Sequence, residues 1–217
     1  LGSFVVRNRA GTGRAAINVG HSDTTTGATP TVTMDLSGHS VDILASSLNI
    51  GGRTGAGGSN NSASFTMSAG TLDVTSVIVG DRRNTGTDSA SYSLTGTTTG
   101  ILTITGGVVN IGATGLNIAQ SLSTNVSNTA AGTVAISGGT VTILGPVTLG
   151  SSTNANGSAV ASLLITGGIA DVRNSITKGA GNGFASVTST LRLAVGSLDL
   201  NGFSIGTSTR PINNVQH

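Results

Sequence analysis

The amino-acid sequence predicts an all-β protein, a single-domain parallel β-solenoid in which the chain winds into about seven stacked coils. Three features predict this fold: a phrase that recurs along the chain, an alternation of apolar and polar residues within that phrase, and a composition rich in glycine and β-branched residues. Alternation with a period of two places one face of a strand inside and the other outside. A phrase recurring every roughly 20 to 50 residues is typical of solenoids.

The phrase has two alternating runs around a Gly-Gly pair, then a short break and a third run that closes on glycine. Its clearest copies are LTITGGVVNIGATGLNIA (102–119), VAISGGTVTILGPVTLG (134–150), LLITGGIADVRNSITKG (163–179) and LRLAVGSLDLNGFSIG (191–206). Looser copies are MDLSGHSVDILASSLNIG (34–51) and FTMSAGTLDVTSVIVG (65–80), and a degenerate first copy ends in INVG (17–20). The closing positions are Gly20, Gly51, Gly80, Ala119, Gly150, Gly179 and Gly206, which gives coils of 27 to 39 residues.

Each copy contains three strand-like pieces, which predicts a coil with three short strands. Stacked coils place equivalent pieces side by side as parallel strands about 4.8 Å apart, so seven coils give a rod of roughly 30 to 35 Å. The pair Gly167-Gly168 is expected at a corner, where a positive φ favours glycine. We expect the solenoid to cover residues 1–206, with an irregular first coil (1–20) and regular coils over about 30–206, followed by an extended tail (207–217).

The composition excludes several classes of function. Charged residues make up 8% of the chain and aromatic residues 2%, and there is no cysteine. The fold therefore uses neither disulfides nor thiolate-bound metal, and no cofactor is expected. The net charge is +2, and the one dense basic cluster, Arg7, Arg9 and Arg14, is expected to be a solvated surface. Nucleic-acid binders cluster basic residues together with aromatic ones, so we expect no nucleic-acid partner.

Two features concern location. No apolar run approaches the roughly 20 residues of a membrane span, so we expect none. The chain opens with Leu1 within a strand-like run, SFVVRN. We expect that either a leader has been removed or the chain is a piece of a longer protein.

The repeats resemble β-solenoid segments of secreted bacterial surface proteins. The runs LTITGGVVNIG, VAISGGTVTILGPVTLG and LLITGGIADV carry the likeness, which extends over roughly residues 30 to 206. They are similar to the β-strand repeats of autotransporter passenger domains and to the Gly/Thr-rich repeats of proteins with a PEP-CTERM sorting signal. This resemblance implies an extracellular or cell-surface location in a bacterium. It implies roles such as stalks, adhesins, matrix components and, occasionally, enzyme scaffolds.

Acidic residues recur at the outward position of the second piece of each copy. If the copies stack in the aligned register, Asp42 lies beside Asp73 and Asp171 beside Asp199, with no basic residue close by in the pattern. Such pairs are typical either of a cation or sugar site with general acid–base chemistry or of a solvated polar ladder, which we favour. The outward column reads Asp42, Asp73, Asn110, Thr142, Asp171 and Asp199.

A second outward column is expected to be structural, because stacked amides and hydroxyls bond to one another along a solenoid. It reads Asn18, Asn49, Ile78, Asn117, Thr148, Thr177 and Ser204. The consecutive residues His21-Ser22-Asp23 cannot form a catalytic triad, since neighbours in sequence do not place nucleophile, base and acid in line. His39 and His217 have no other plausible metal ligand near them in the pattern. We therefore predict no metal site and no catalytic residue.

The variable loops are all expected to leave the rod at one corner, which in solenoids is often the binding side. The longest loop, 81 to 100, contains Arg82, Arg83 and the single tyrosine, Tyr92, and is our candidate for recognition. The alternative is a merely solvated loop. N-x-S/T triplets at Asn60, Asn125 and Asn156 are candidate glycan acceptors.

Uniform coils, low charge and the lack of a reactive constellation favour a non-enzymatic, extracellular structural protein. Neither end of the predicted rod has an evident helical cap, so identical chains are expected to stack end to end into a fibre or a surface layer. The alternative is an adhesin or passenger stalk that presents its loops to carbohydrate or to another cell surface. A polysaccharide-acting enzyme that uses Asp171 and Asp199 is a remote alternative.

Overall fold

The chain forms an all-β parallel solenoid, as the repeats predict. A computed structural model describes residues 2–22, 29–54, 60–83, 96–122, 128–153, 156–182 and 185–217. The described strands are, in chain order, β1 (Gly2–Val6), β2 (Ala15–Ser22), β3 (Thr31–Leu36), β4 (His39–Arg53), β5 (Asn61–Met67), β6 (Gly70–Arg82), β7 (Gly96–Ile104), β8 (Val108–Ser121), β9 (Asn128–Ile136), β10 (Thr140–Ile143), β11 (Val147–Ser152), β12 (Ser158–Ile165), β13 (Ile169–Val172), β14 (Ile176–Lys178), β15 (Ser186–Leu193), β16 (Ser197–Asp199) and β17 (Asn214–Gln216).

The strands build three faces, and each coil visits them in the same order. The first face is a seven-stranded sheet in the order β17-β15-β12-β9-β7-β5-β3. The second and third faces share a ten-stranded sheet, because β4, β6 and β8 each run across both faces, whereas later coils divide this stretch into two strands, such as β10 and β11. The strand pairs join successive coils in parallel, as stacking along one axis requires.

Columns of apolar side chains fill the interior, more than one behind each face, and three of them run the length of the stack. They are Met34, Phe65, Leu102, Val134, Leu163, Leu191 and Val215 on the first face, Val6, Ile43, Leu72, Val109, Val141, Ala170 and Leu198 on the second, and Ile17, Leu48, Val77, Leu116, Val147, Ile176 and Ile205 on the third. Residues in the middle of each column are fully buried. A coil cannot bury such residues alone, so the stack is held together by contacts between neighbours.

Glycine occupies the corners where the backbone must turn sharply. Gly168, the second residue of the predicted corner pair, has φ +68°, which is a conformation that glycine adopts without steric penalty. The corner that closes the third face also uses the left-handed region, at Gly80 (φ +77°) and even at Ala119 (φ 59°). The position at which the repeats end in glycine is therefore a sharp turn toward the loops.

The prediction of about seven coils is corrected to five complete coils with incomplete ones at the ends. Strands cover all three faces in the coils that run from β3 to β14. The coil before them contributes β1 and β2 to the second and third faces. The coil after them contributes β15 and β16, and its third face is reduced to a single bridge between Ile176 and Ile205. A turn at Asn201 (φ 51°) and Gly202 (φ 84°) interrupts that face.

The C-terminal segment folds back onto the last coil. Ile212 is buried against the core, with 9% of its surface exposed. Asn213 Oδ1 accepts hydrogen bonds from the backbone N–H and the hydroxyl of Ser189, both at 3.0 Å. β17 then pairs with β15, so this segment supplies one further strand to the first face.

Candidate functional site

The corner between the third face and the first face carries a buried polar cluster. Two residues beyond the closing positions Gly51, Gly80, Ala119 and Gly150, the third-face strands carry polar side chains that lie opposite one another in register. Arg53 pairs with Arg82, Arg82 with Ser121, and Ser121 with Ser152. All four are at most 1% exposed. The apolar interior therefore gives way to a polar one at this corner.

Arg82, a candidate for recognition, belongs to this interior, with 1% of its surface exposed. Its Nη2 donates a hydrogen bond to Asn128 Oδ1 at 3.1 Å. Burial, together with the neighbouring positive charge of Arg53, lowers the pKa of Arg82 to about 10. The sequence pattern did not indicate the burial of Arg82, because in sequence a buried pair of arginines beside a polar loop is indistinguishable from an exposed pair.

Arg83 and its neighbour Asp81 lie nearer the surface of the same corner. Arg83 Nε is 2.7 Å from Asp81 Oδ2, and Gln120 Nε2 donates a hydrogen bond to Asp81 Oδ1 at 3.0 Å. These contacts tie the start of the longest loop to the next coil. Tyr92 lies outside the described residues, so recognition by the loop stays a prediction.

Two asparagine side chains form hydrogen bonds at the side of this corner where the first face begins. Asn61 is buried, and its Nδ2 donates hydrogen bonds to the carbonyl oxygens of Gly20 (2.5 Å) and Gly52 (2.7 Å). These carbonyl groups belong to two successive turns, which a single amide therefore joins. Asn60 is exposed, and its Oδ1 accepts a hydrogen bond from the backbone N–H of Thr97 at 2.9 Å.

Of the three predicted glycan acceptors, Asn60 and Asn156 are exposed and Asn125 lies outside the described residues. Asn60 and Asn156 both line an open groove of ≈ 510 Å³ at this corner. The other lining residues are Gly96, Thr97, Asn128, Thr129 and Ser158, which present amides and hydroxyls. A groove of this kind has the chemistry to bind a neutral, hydroxyl-rich chain.

The acidic column on the second face differs from its prediction at one end and agrees at the other. Asp42 lies opposite Thr71, and Asp73 lies opposite Leu44 and Asn110, so the pair Asp42–Asp73 does not form. The copy at 34–51 has two more residues than the next one, and the structure absorbs them at the corner before Val41. The resulting shift of two residues keeps every side chain on its own face.

Arginines bind the acids at this end, contrary to our expectation that no basic residue lies near them. Arg7 Nη2 lies 2.7 Å from both carboxylate oxygens of Asp42. Arg14 Nη2 lies 3.0 Å from Asp73 Oδ1. Both arginines come from the irregular first coil, so an alignment of the regular copies could not place them.

Asp171 and Asp199 lie side by side at the other end, as predicted. Arg173 Nη2 donates to Asp171 Oδ2 at 2.8 Å, and Asn201 Nδ2 donates to Asp171 Oδ1 at 2.7 Å. Hydrogen bonds from Arg173 and then Asn201 lower the pKa of Asp171. Held as an ionised ion-pair partner, Asp171 lacks the raised pKa typical of a general acid.

The amide column on the third face follows the predicted order from Asn18 to Thr177. Asn49 Nδ2 donates to Asn18 Oδ1 at 2.8 Å. The predicted last member, Ser204, lies instead beside Ser175, with 3.2 Å between the hydroxyl oxygens. The turn at Asn201 shifts this stretch, so that Ile205 lies opposite Ile176 in the apolar column and Ser204 does not lie beside Thr177.

The remaining candidate residues are dispersed. His21 and Ser22 lie on β2, His39 begins β4, and Asp23 lies outside the described residues. Among the described residues, no three histidine or acidic side chains gather where they could hold a metal ion. The part of the chain that the structure describes contains no helix of the length and apolarity needed to cross a membrane.

The fold defines the class of this protein as the parallel β-solenoid repeat proteins. Comparison with known proteins adds no relative: no family, no curated protein and no solved structure matches the chain.

Proposed function

We propose that this protein is an extracellular structural rod that self-assembles end to end into a fibre or a surface layer. The observation that carries the proposal is the course of the three apolar columns, which continue through the whole stack and end on partly exposed apolar residues. At one end these are Met34, Val6 and Ile17. At the other end Val215 is 62% and Ile205 is 39% exposed.

The backbone at both ends supports the same proposal. Among the described strands, β1 and β2 pair only with β4, and β3 pairs only with β5. At the opposite end, β16 pairs only with β13 and β17 only with β15. A strand that is paired on one side has an edge to which another strand can add.

The extracellular, bacterial assignment rests on the resemblance of the repeats to secreted surface proteins. The absence of cysteine and the wealth of Gly, Ser and Thr fit that setting. We propose no enzymatic role. Arg173 and Asn201 bind Asp171, one member of the acid pair Asp171–Asp199 that a polysaccharide-acting enzyme would use, so an enzyme is the remote alternative.

Electron microscopy of the purified chain over a range of concentrations tests the proposal. We expect fibres with an axial repeat of about 34 Å, since seven strands stack at about 4.8 Å each. Single short rods at every concentration would overturn self-assembly.

An adhesin or passenger stalk is the second candidate, and the groove lined by Asn60 and Asn156 favours it. Amide and hydroxyl groups without charge suit a neutral carbohydrate. Glycan-array binding by the intact chain would support this candidate, provided that binding is lost when residues 84–95 are shortened. Asp171→Asn should leave such binding unchanged, because it lies on another face.

A further inference from the structure

Lys178 interrupts one of the buried columns of the third face. It is the only lysine of the chain, and it lies opposite Leu149 in the strand register. Alternation along β14 directs it to the same inward side as Ile176. The preceding members of this column are all buried and aliphatic: Val19, Ile50, Val79, Ile118 and Leu149. A cationic side chain therefore occupies a position at which the preceding coils have an apolar one.

The chain leaves the third face before it reaches the position opposite Lys178. In the coil of β11, the left-handed turn falls at Gly150, three residues after Val147. In the last coil it falls at Gly206, only one residue after Ile205, which is the equivalent of Val147 in its column. The described part of the last coil therefore provides no strand over Lys178.

A pocket of ≈ 370 Å³ lies at this place, between the third face and the start of the first. Arg210 lines it together with Lys178. Arg210 belongs to a tight turn in which its backbone groups and those of Thr207 bond to each other at 3.2 Å. The other lining residues are small or uncharged: Gly179, Gly181, Ala185, Val187, Thr209 and Pro211. Two cationic residues, a hydroxyl group and small apolar side chains thus share one cavity.

The two cationic residues of this pocket lack the acidic partner that other cations of the chain have. Arg173 Nη2, for example, lies 2.8 Å from Asp171 Oδ2. Among the described residues, neither Lys178 nor Arg210 forms an ion pair, and no acidic residue lines the pocket. Like charges that share a cavity repel each other, and an anion bound between them offsets that repulsion. The charge of the pocket therefore favours an anionic ligand.

We infer that this pocket binds a small organic acid whose carboxylate lies between Lys178 and Arg210. A guanidinium group can bind both oxygen atoms of a carboxylate, and a lysine ammonium adds a compact positive charge. The volume of the pocket is near the lower end of the roughly 300–1,000 Å³ of small-molecule sites, which suits a single sugar acid or a short dicarboxylic acid. The inference goes beyond the proposed rod function and does not depend on it.

Isothermal titration calorimetry of the full chain with glucuronate, succinate and glucose tests this site. We expect binding of a carboxylate, and the tighter of the two acids shows whether a sugar acid or an aliphatic acid is the better ligand. Glucose, which lacks the carboxylate of glucuronate, should not bind. Binding of the acid should weaken as salt is added, because dissolved ions screen the attraction between charges.

Two variants and a control locate the binding. Lys178→Leu introduces the residue type that Leu149 has in the same column, so the chain should fold and its affinity should fall by about tenfold or more. Arg210→Gln should weaken binding by a similar factor. Arg192→Gln is the matched control, because Arg192 is an exposed arginine on β15 outside the pocket. Circular dichroism checks that each variant is folded.

Several outcomes would overturn the inference. Equal binding of glucose and glucuronate would show that the pocket does not recognise the carboxylate. Binding that Lys178→Leu and Arg210→Gln leave unchanged would place the ligand elsewhere on the chain. No binding of either acid at low salt, or tighter binding of inorganic phosphate than of both acids, would exclude a carboxylate site. None of these outcomes bears on fibre formation, which electron microscopy measures separately.

Discussion

At the scale of single residues, a corner of the solenoid requires glycine where the neighbouring backbone leaves no space for a Cβ. Gly80 has φ +77°, and a Cβ there would lie 2.1 Å from the carbonyl oxygen of Ala131 on β9, two coils further along the chain. Because that neighbour is backbone inside a paired strand, it cannot move aside. Ala119 tolerates the same left-handed region at an equivalent corner, so conformation alone does not explain the glycine at position 80.

Gly80→Ala should destabilise the protein far more than Gly11→Ala. Both glycines have φ +77°, but a Cβ on Gly11 would meet nothing within 4 Å. The shared conformational penalty is about 1–2 kcal/mol, and overpacking should add about 1–3 kcal/mol at Gly80. Urea denaturation of the two variants measures the difference. Equal losses of unfolding free energy would contradict a steric role for the corner.

Single residues also explain the buried polar cluster at the loop corner. Asn61 satisfies two carbonyl groups that belong to different turns, and Arg82 binds Asn128 across the corner. Buried polar groups are tolerated where they find hydrogen-bond partners. In the sequence these are only polar residues next to loops, because their hydrogen-bond partners lie one or two coils away.

At the scale of elements, side chains connect neighbouring strands across the second face. Asp171 on β13 receives hydrogen bonds from Arg173 and from Asn201 in the turn after β16. These bonds hold the pKa of Asp171 below its ordinary value of 3.8. Because the folded pKa is the lower one, the carboxylate stabilises the fold above that ordinary value. The contribution is lost as the pH falls through the lowered pKa.

Arg173→Gln should raise the pKa of Asp171 toward its ordinary value, because the hydrogen bond from Arg173 is the largest cause of the shift. Carbon-13 NMR titration of the aspartate carboxyl groups measures this. Asp35 is the internal control, since its pKa is lowered mainly by hydrogen bonds from Ser37 and should not move. A pKa of Asp171 unchanged by the substitution would show that another group holds the carboxylate ionised.

At the scale of the whole molecule, a stack of coils has strong contacts in the middle and weak ones at the ends. Ile176 and Ile205 are neighbours in one column, yet Ile176 is fully buried and Ile205 is 39% exposed. In a linear repeat array, stability is approximately the sum of contacts between nearest neighbours. The same residue type therefore has different roles at these two positions.

Ile176→Ala should lower the free energy of unfolding by about 2–5 kcal/mol, as is usual for a buried isoleucine. Ile205→Ala should affect folding much less, but it should raise the protein concentration at which fibres form. Denaturation of the dilute chain and light scattering across concentrations measure the two effects. If Ile205→Ala destabilises the dilute chain as much as Ile176→Ala, then the last coil is buried within the single rod.

The sequence by itself determined the architecture: a parallel solenoid with three faces per coil, the inward and outward sides of its strands, and the glycine corners. The alternation of apolar and polar residues and the positions of glycine are local features, so they can be recognised within a single copy of the repeat. Tertiary structure decided the register between coils, which separates Asp42 from Asp73, the burial of Arg82, and the pairing of Arg7 with Asp42. A register shift of two residues leaves each side chain on the same side of its strand. The repeat pattern therefore does not indicate where a coil accommodates its extra residues.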